Sequence, residues 1–181
     1  MRSLLGHLLV AGPALEDPNF RRTVVLLGEH GDEGAMGLVL NRVSPVTVAD
    51  AVPPMSGLTE DEDLVYVGGP VQPQAVVVLA DFVDPSLADA LVLGSVGFLP
   101  AEMDGPTDVG ELRRVRVFAG YAGWAPGQLE EELAEGSWVV LPARAADVFT
   151  TAPESLWRTV LRREGGGHAV LAMLPDDPAT N

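Results

Sequence analysis

The chain has 181 residues, and 26 acidic side chains against 11 basic ones give it a net charge of −15 at pH 7. It contains no cysteine, which excludes disulfides, thiolate nucleophiles and cysteine-ligated metal centres. It also contains no lysine, which excludes a phosphate-loop lysine and a lysine Schiff base. The length and the 47% hydrophobic content predict one compact domain over residues 1–181.

The first twelve residues carry one arginine and then a short apolar stretch, which superficially resembles a secretory leader. His7 interrupts this stretch and no convincing cleavage site follows, so we interpret it as an opening β-strand. No run of the sequence approaches the ~18 apolar residues that a membrane helix needs. These features predict a cytoplasmic protein with no membrane partner.

Glycine and proline divide the first half of the chain into short elements. Residues 23–27 form a β-branched and aliphatic run typical of a buried strand, and a polar turn over 29–34 leads into a second apolar run over 35–40. Two such runs joined by a glycine-containing turn predict a β-hairpin. Thr47 is expected to cap a short helix that ends at Ala51. Further strands are predicted over 64–67 and 75–79.

The second half contains fewer but better delimited elements. Pro126 suits the first position of a helix and Gly136 suits the position just after its end, which predicts a helix between them. Residues 114–118 alternate polar and apolar, which predicts a strand with one solvent-facing side. The remaining predicted elements are a surface loop over 100–110, a strand over 138–141 and a helix over about 154–164. Strands outnumber helices, so we predict a mixed α/β (α+β) domain with a curved, mainly antiparallel sheet.

Four segments of the chain carry motifs that are characteristic when they occur in the same order. They are 17–27 (DPNFRRTVVLL), 34–42 (GAMGLVLNR), 68–71 (GGPV) and 120–130 (GYAGWAPGQLE). In this order they resemble the bacterial YqgE/AlgH family over roughly residues 5–174. The resemblance implies a bent, bifurcated sheet that forms a partly closed pseudo-barrel with helices outside it. It implies no reaction, because the family has no agreed biochemical activity. Gly28 departs from the family pattern, in which cysteine is frequent at this position.

Two strand ends form the first part of a candidate ligand site. Asn41 and Arg42 follow the second hairpin strand, and the Gly68-Gly69 pair follows another. Successive glycines can direct backbone N–H groups toward an anion, and the arginine can supply a guanidinium fork. The alternative interpretation is that the glycines allow a tight chain reversal and that Arg42 pairs with one of many acids.

The second part of this candidate site is the segment that leads into the predicted helix at 126. Tyr121 and Trp124, separated by small residues that include Gly123, could form a flat stacking wall for a planar or anionic ligand. Gln128, in the first turn of the helix, could hydrogen-bond to that ligand. The alternative is that these aromatic side chains belong to the core.

Other chemistry finds little support in the residue pattern. The turn over 29–33 holds several oxygen ligands and one imidazole, but its spacing matches no common metal motif, so we interpret it as a solvated hairpin turn. We therefore expect no metal, no cofactor and no catalytic residues. The arginine clusters at 113–116 and 158–163 are not interleaved with aromatics, and the net charge repels phosphate, which argues against direct nucleic-acid binding.

The predicted function is a non-enzymatic cytoplasmic binding or regulatory protein with a protein or small-molecule partner. One alternative is a small-molecule or anion sensor, or an undiscovered enzyme, with its site near Trp124, Arg42 and the Gly68-Gly69 pair. The remaining alternative is a transcriptional regulator.

Overall fold

The computed structural model describes residues 2–101 and 106–176, and its centre is one branched sheet. The strands of the described residues, β1 to β10 in chain order, are His7–Ala11, Val24–Gly31, Gly34–Val39, Val43–Thr47, Leu64–Val67, Val71–Phe82, Ala90–Leu93, Val96–Phe98, Leu112–Trp124 and Trp138–Pro142. The helices, α1 to α5, are Val48–Ala51, Gln128–Ala134, Ala145–Val148, Leu156–Glu164 and Gly166–Leu171. None of these helices is long and apolar enough to cross a membrane.

The sheet is mostly antiparallel and branches at β9. Its main path runs β10-β1-β2-β3-β9-β6-β8-β7. The last three residues of β9 pair with β3, whereas its earlier part pairs with β6 and, in parallel, with β5. β5 also pairs with β4. The predicted mixed α/β class and the mainly antiparallel, bifurcated sheet are confirmed, and the sheet stays open because β10 and β7 end the path without pairing to each other.

The predicted hairpin is formed by β2 and β3, whose register closes at Gly31 opposite Gly34. Gly34 has φ of +117°, and a Cβ there would lie 2.2 Å from the carbonyl oxygen of Trp124, so a side chain is excluded by strain and by space. The predicted cap of α1 is also confirmed, because Thr47 Oγ1 accepts a hydrogen bond from the backbone N–H of Asp50 at 3.2 Å.

Three apolar clusters cover the two faces of this sheet. The first contains Phe118 of β9 together with Trp157 and Val160 of α4. The second lies on the opposite face and joins Trp124 and Trp138 to β1, β2 and α2. The third lies under the β4–β5 and β6–β9 regions. β1 contributes to the first two clusters, which explains why its interior residues are fully buried.

Two predicted elements differ in detail from the observed ones. The helix expected from Pro126 begins at Gln128, because Gly127 adopts φ of +81° and ends the turn that precedes the helix. The strand expected to alternate over 114–118 buries both Val117 and Phe118. These neighbours belong to the third and first clusters, so β9 is covered on both faces at this point.

The strand predicted over 75–79 is also longer than expected and only partly buried. It is the middle of β6, and burial is complete only from Val78 to Phe82, whereas Val76 is 47% exposed. The surface loop predicted over 100–110 lies partly outside the described residues, and Pro106–Val109 form a short 3-10 turn.

Candidate functional site

The predicted site residue Asn41 joins the ends of β2 and β3. Its Oδ1 accepts from the N–H of Val24 at 2.9 Å, and its Nδ2 donates to the carbonyl of Arg22 at 2.8 Å. Arg42 donates to the carbonyl of Arg21 at 3.1 Å, and partial burial lowers its pKa, while the nearby Asp17 carboxylate acts in the opposite direction. Both side chains therefore stabilise the loop that precedes β2.

The glycine pair at 68–69 lies where the chain leaving β5 crosses β9. The N–H of Gly68 donates to the carbonyl of Ala119 at 2.9 Å, so it is already used. A Cβ at Gly68 would lie 2.2 Å from the carbonyl oxygen of Gly120, and one at Gly69 would lie 2.2 Å from the carbonyl carbon of Tyr121. The close approach of two backbones explains both glycines without a bound anion.

Tyr121 and Trp124 do not form a common stacking wall. They lie three positions apart on β9 and therefore face opposite sides of the sheet. Tyr121 packs against the first apolar cluster and Trp124 belongs to the second. Between them, Gly123 pairs with Met36 of β3. The cavities of about 510 and 200 Å³ are lined by other residues, so ligand binding by the eight predicted residues stays a prediction.

Gln128 and Trp124 take part in a hydrogen-bond network around Glu132. Gln128 Nε2 donates to Glu132 Oε1 at 2.9 Å, and its own Oε1 accepts from the N–H of Ala125 at 3.0 Å. Glu132 Oε2 accepts the indole N–H groups of Trp124 and Trp138. All of these groups are engaged in fixing the start of α2 against the sheet.

The interpretation of the 29–33 turn as solvated is wrong for His30. Its side chain is only 2% exposed, and Nε2 lies 2.7 Å from Oε1 of Glu130 on α2. Nδ1 accepts from the N–H of Leu4 at 2.9 Å, which leaves Nε2 as the nitrogen that donates to Glu130. The hydrogen bond from His30 lowers the pKa of Glu130. The partners are 100 residues apart, and no sequence spacing reveals them.

A cavity of about 510 Å³ opens between the loop after β1 and α4. Its lining combines apolar surface with two arginines and one glutamate: Gly12, Pro13, Leu15, Glu16, Arg21, Arg22, Trp157, Leu174 and Pro175. The Arg22 guanidinium lies 4.4 Å from the centroid of the Trp157 ring, a cation–π contact. The indole N–H of Trp157 donates to the carbonyl of Ala11 at 3.0 Å, which holds the ring in place.

The backbone of Arg22 is unusual for a side-chain-bearing residue. Its φ of +55° lies in the left-handed region, which costs free energy in residues other than glycine. The conformation is held by Asn41, whose Nδ2 donates a hydrogen bond to the Arg22 carbonyl at 2.8 Å. The predicted site residue thus helps to place an arginine that lines the cavity.

Residues 174–176 of the chain lie across an arginine cluster, which we define as Arg21, Arg22 and Arg158. Arg22 and Arg158 each donate to the carbonyl of Leu174, at 3.0 and 3.1 Å. The same two arginines hold Oδ1 of Asp176, at 3.1 and 2.8 Å. Arg22 also donates to the carbonyl of Pro175, and Arg21 donates to that of Asp176.

The electrostatics of the arginine cluster favour an anionic occupant. Burial lowers the pKa of Arg22, and the neighbouring charges of Arg158 and Arg21 act in the same direction. The carboxylate of Asp176 opposes both effects. The three neighbouring cations are therefore stabilised by the Asp176 carboxylate, which Arg22 and Arg158 bind directly.

Two further ion-pair clusters have their carboxylates paired with arginines of the same fold. Asp81 accepts from Ser95, Arg113 and Arg114, and Asp147 accepts from Arg163. Among residues 2–101 and 106–176, no three histidine or acidic side chains group closely enough to hold a metal ion. The arginine cluster with its cavity is accordingly the candidate binding site.

These features define an α+β protein with a branched antiparallel sheet and a cationic groove beside an aromatic ring. The AlgH-like family model (DUF179) matches residues 8–169, and the chain belongs to this family. It is 44% identical to a UPF0301 protein of Streptomyces avermitilis over 99% of this chain and 96% of that one. It is 42% identical to a UPF0301 protein of Myxococcus xanthus over 96% and 97% of the two chains.

Two solved structures are similar over nearly the whole chain. The crystal structure of protein DIP2367 from Corynebacterium diphtheriae has a TM-score of 0.86 at 29% identity, covering 96% of this chain and 94% of that one. The solution structure of the AlgH protein from Pseudomonas aeruginosa has a TM-score of 0.71 at 30% identity, covering 98% and 100%. The names of these relatives state no activity.

Proposed function

We propose that this protein is a non-catalytic, cytoplasmic regulatory protein that binds an acidic peptide segment of a partner protein at the arginine cluster. The observation that carries the proposal is the seating of residues 174–176 there, through three backbone carbonyls and one carboxylate. Bonds to backbone carbonyls recognise any peptide, whereas the bonds to the Asp176 carboxylate select an acidic one.

The cavity beside the arginine cluster adds room for an apolar side chain. Leu15, Pro13 and the face of Trp157 contribute apolar surface, and about 510 Å³ lies within the range of small-ligand pockets. Leu174 and Pro175 of the chain itself form part of the rim. A partner segment that replaces them could place a larger side chain in the cavity and bury it against Trp157.

The N-terminal apolar residues that resemble a leader form a strand of the fold. Leu8, Leu9 and Val10 are fully buried in β1, which lies between β10 and β2. The proposed cytoplasmic location is a separate part of the proposal and is tested by cell fractionation. Recovery of the protein outside the cytoplasm would contradict it.

Competition with the chain's own segment defines the binding experiment. A tethered occupant acts at an effective concentration on the order of mM, so the unmodified chain should bind a free peptide weakly. The probe is a labelled peptide Leu-Pro-Asp-Asp-Pro, the sequence of residues 174–178. We expect full-length Asp176→Ala to bind it at least threefold more tightly than the unmodified chain, as measured by fluorescence anisotropy.

Arginine variants decide whether this binding uses the cluster. Adding Arg22→Gln to Asp176→Ala should weaken peptide binding at least tenfold. The matched control is Arg162→Gln in the same background, since Arg162 is exposed on α4 and has no ion pair with the described residues. No peptide binding by Asp176→Ala, or equal binding with and without Arg22, would contradict the proposal. If acetate displaced the labelled peptide as effectively as the unlabelled peptide does, the cluster would recognise a simple carboxylate and not a peptide.

A further inference from the structure

A second cavity, of about 200 Å³, lies between the β4–β5 pair, β9 and the segment after α3. Arg116 of β9 lines it, and its guanidinium stands 4.2 Å from the centroid of the Tyr66 ring. Nη1 of Arg116 donates to the carbonyl of Thr150 at 2.8 Å. The ring and the carbonyl together fix the guanidinium in one orientation at the cavity wall.

Arg116 is half-buried and has no carboxylate within 4.0 Å among the residues that the structure describes. Among the other half-buried arginines, 22, 158 and 163 each contact a carboxylate, whereas Arg42 donates to a backbone carbonyl. Removing a cation from water is costly unless an anion compensates, and burial accordingly lowers the pKa of Arg116, while Tyr66 and the Asp63 carboxylate act in the opposite direction. The cavity therefore presents a fixed cation that no carboxylate of the described residues contacts directly.

The opposite charge is also present on the lining of the same cavity. Glu62 and Asp63 both contribute to it, so two carboxylates accompany one guanidinium. A simple anion would gain from Arg116 but would be repelled by these two carboxylates. A ligand that carries both a carboxylate and an ammonium group would satisfy the cation and the acids together.

We propose that this cavity binds a small zwitterion, a free α-amino acid with a short side chain. Its carboxylate would pair with Arg116, which presents a planar fork of donors suited to that group. Its ammonium group would face Glu62 and Asp63. The cavity is smaller than the ~300–1,000 Å³ of pockets for drug-sized ligands, which restricts the ligand to a few non-hydrogen atoms.

The test is a titration of the full chain with glycine, alanine and serine, followed through the backbone amide resonances of Thr150 and Thr151. We expect saturable shifts at these two residues, which line the cavity. Acetate and methylamine each carry only one of the two charges, so each should bind at least tenfold more weakly. Equal binding of acetate, or no saturable shift with any amino acid, would overturn the proposal.

Two variants locate the binding within the cavity. Arg116→Gln should abolish the shifts. Glu62→Gln, at an exposed position that tolerates substitution, should weaken amino-acid binding severalfold and should strengthen the binding of acetate, which Glu62 repels. Arg162→Gln is the control and should bind as the unmodified chain does. If Glu62→Gln and Arg116→Gln both bind amino acids normally, the site is elsewhere and the proposal is wrong. Peptide binding at the arginine cluster should be unaffected by Arg116→Gln, so the two proposals fail independently.

Discussion

Trp124 and Trp138 donate their indole N–H groups to the same oxygen of Glu132, at 2.9 and 2.8 Å. Their rings meet edge to face with centroids 6.0 Å apart. The carboxylate lies on α2, and the two indoles come from β9 and β10, which are separated in the sheet by three strands. A single acidic side chain thus joins one helix to two distant strands.

Replacing this carboxylate tests its role in stability. Glu132→Gln retains one acceptor oxygen but loses the charge that strengthens both indole bonds, so we expect the free energy of unfolding to fall by about 1–3 kcal/mol. Chemical denaturation followed by tryptophan fluorescence measures the loss. Glu131→Gln, at the exposed neighbouring position, should change stability by less than about 0.5 kcal/mol. Equal effects of the two variants would contradict the assignment.

The His30–Glu130 contact predicts a pH dependence of stability. The hydrogen bond from His30 lowers the pKa of Glu130 below its ordinary value of 4.5 in the folded state. The unfolded chain therefore takes up this proton first as the pH falls, and the stabilisation, complete above pH 4.5, is lost as the pH drops through the folded value.

We expect Glu130→Gln to remove this contribution. Its free energy of unfolding should decline less steeply below pH 4.5 than that of the unmodified chain, as measured by denaturation at a series of pH values. Glu131→Gln again provides the control, because it lies on the same helix turn without this partner. Parallel curves for Glu130→Gln and the unmodified chain would show that the contact does not stabilise the fold.

Asp81 is a buried carboxylate that its hydrogen-bond donors keep ionised. Burial acts to raise its pKa, but hydrogen bonds from Ser95, Arg114 and Arg113 outweigh that effect and lower it. Asp81→Ala would leave these donors without their acceptor. Because both guanidinium groups are about half exposed and can reach water, we expect the free energy of unfolding to fall by only about 2–3 kcal/mol. Thermal denaturation measures it. Asp89→Ala, at an exposed site, should be close to neutral, and a similar loss there would refute the prediction.

Gly28 illustrates how packing excludes a side chain that the family resemblance leads one to expect. A Cβ there would lie 2.6 Å from Cζ of Phe98. Gly28→Cys should therefore destabilise the protein by about 1–3 kcal/mol through overpacking. In a double-mutant cycle with Phe98→Ala, the double variant should lose less free energy of unfolding than the two single variants lose together, because alanine at position 98 makes room for the cysteine side chain. Strict additivity would show that Phe98 is not the obstacle.

Local signals in the sequence were sufficient for several elements of this fold. The β2–β3 hairpin follows from two apolar runs around a glycine turn, and the α1 cap follows from Thr47. The three-residue strand β8 and the six-residue helix α5, which begins within three consecutive glycines, carry too few residues for a periodicity to appear. Residues 68–69 and 120 carried a recognisable glycine signal, but its cause, a crossing of two backbones, was visible only in three dimensions.

The amino-acid sequence alone determined the family, the α+β class and the exclusion of thiol and lysine chemistry, since these depend on composition and on patterns within a few residues. The tertiary structure decided which charges meet: Arg22 with a segment more than 150 residues away, His30 with Glu130, and Arg116 with the ring of Tyr66. The physical reason is that periodicity reports which face of an element is buried, whereas the pairing of charges depends on how the strands are ordered in the sheet.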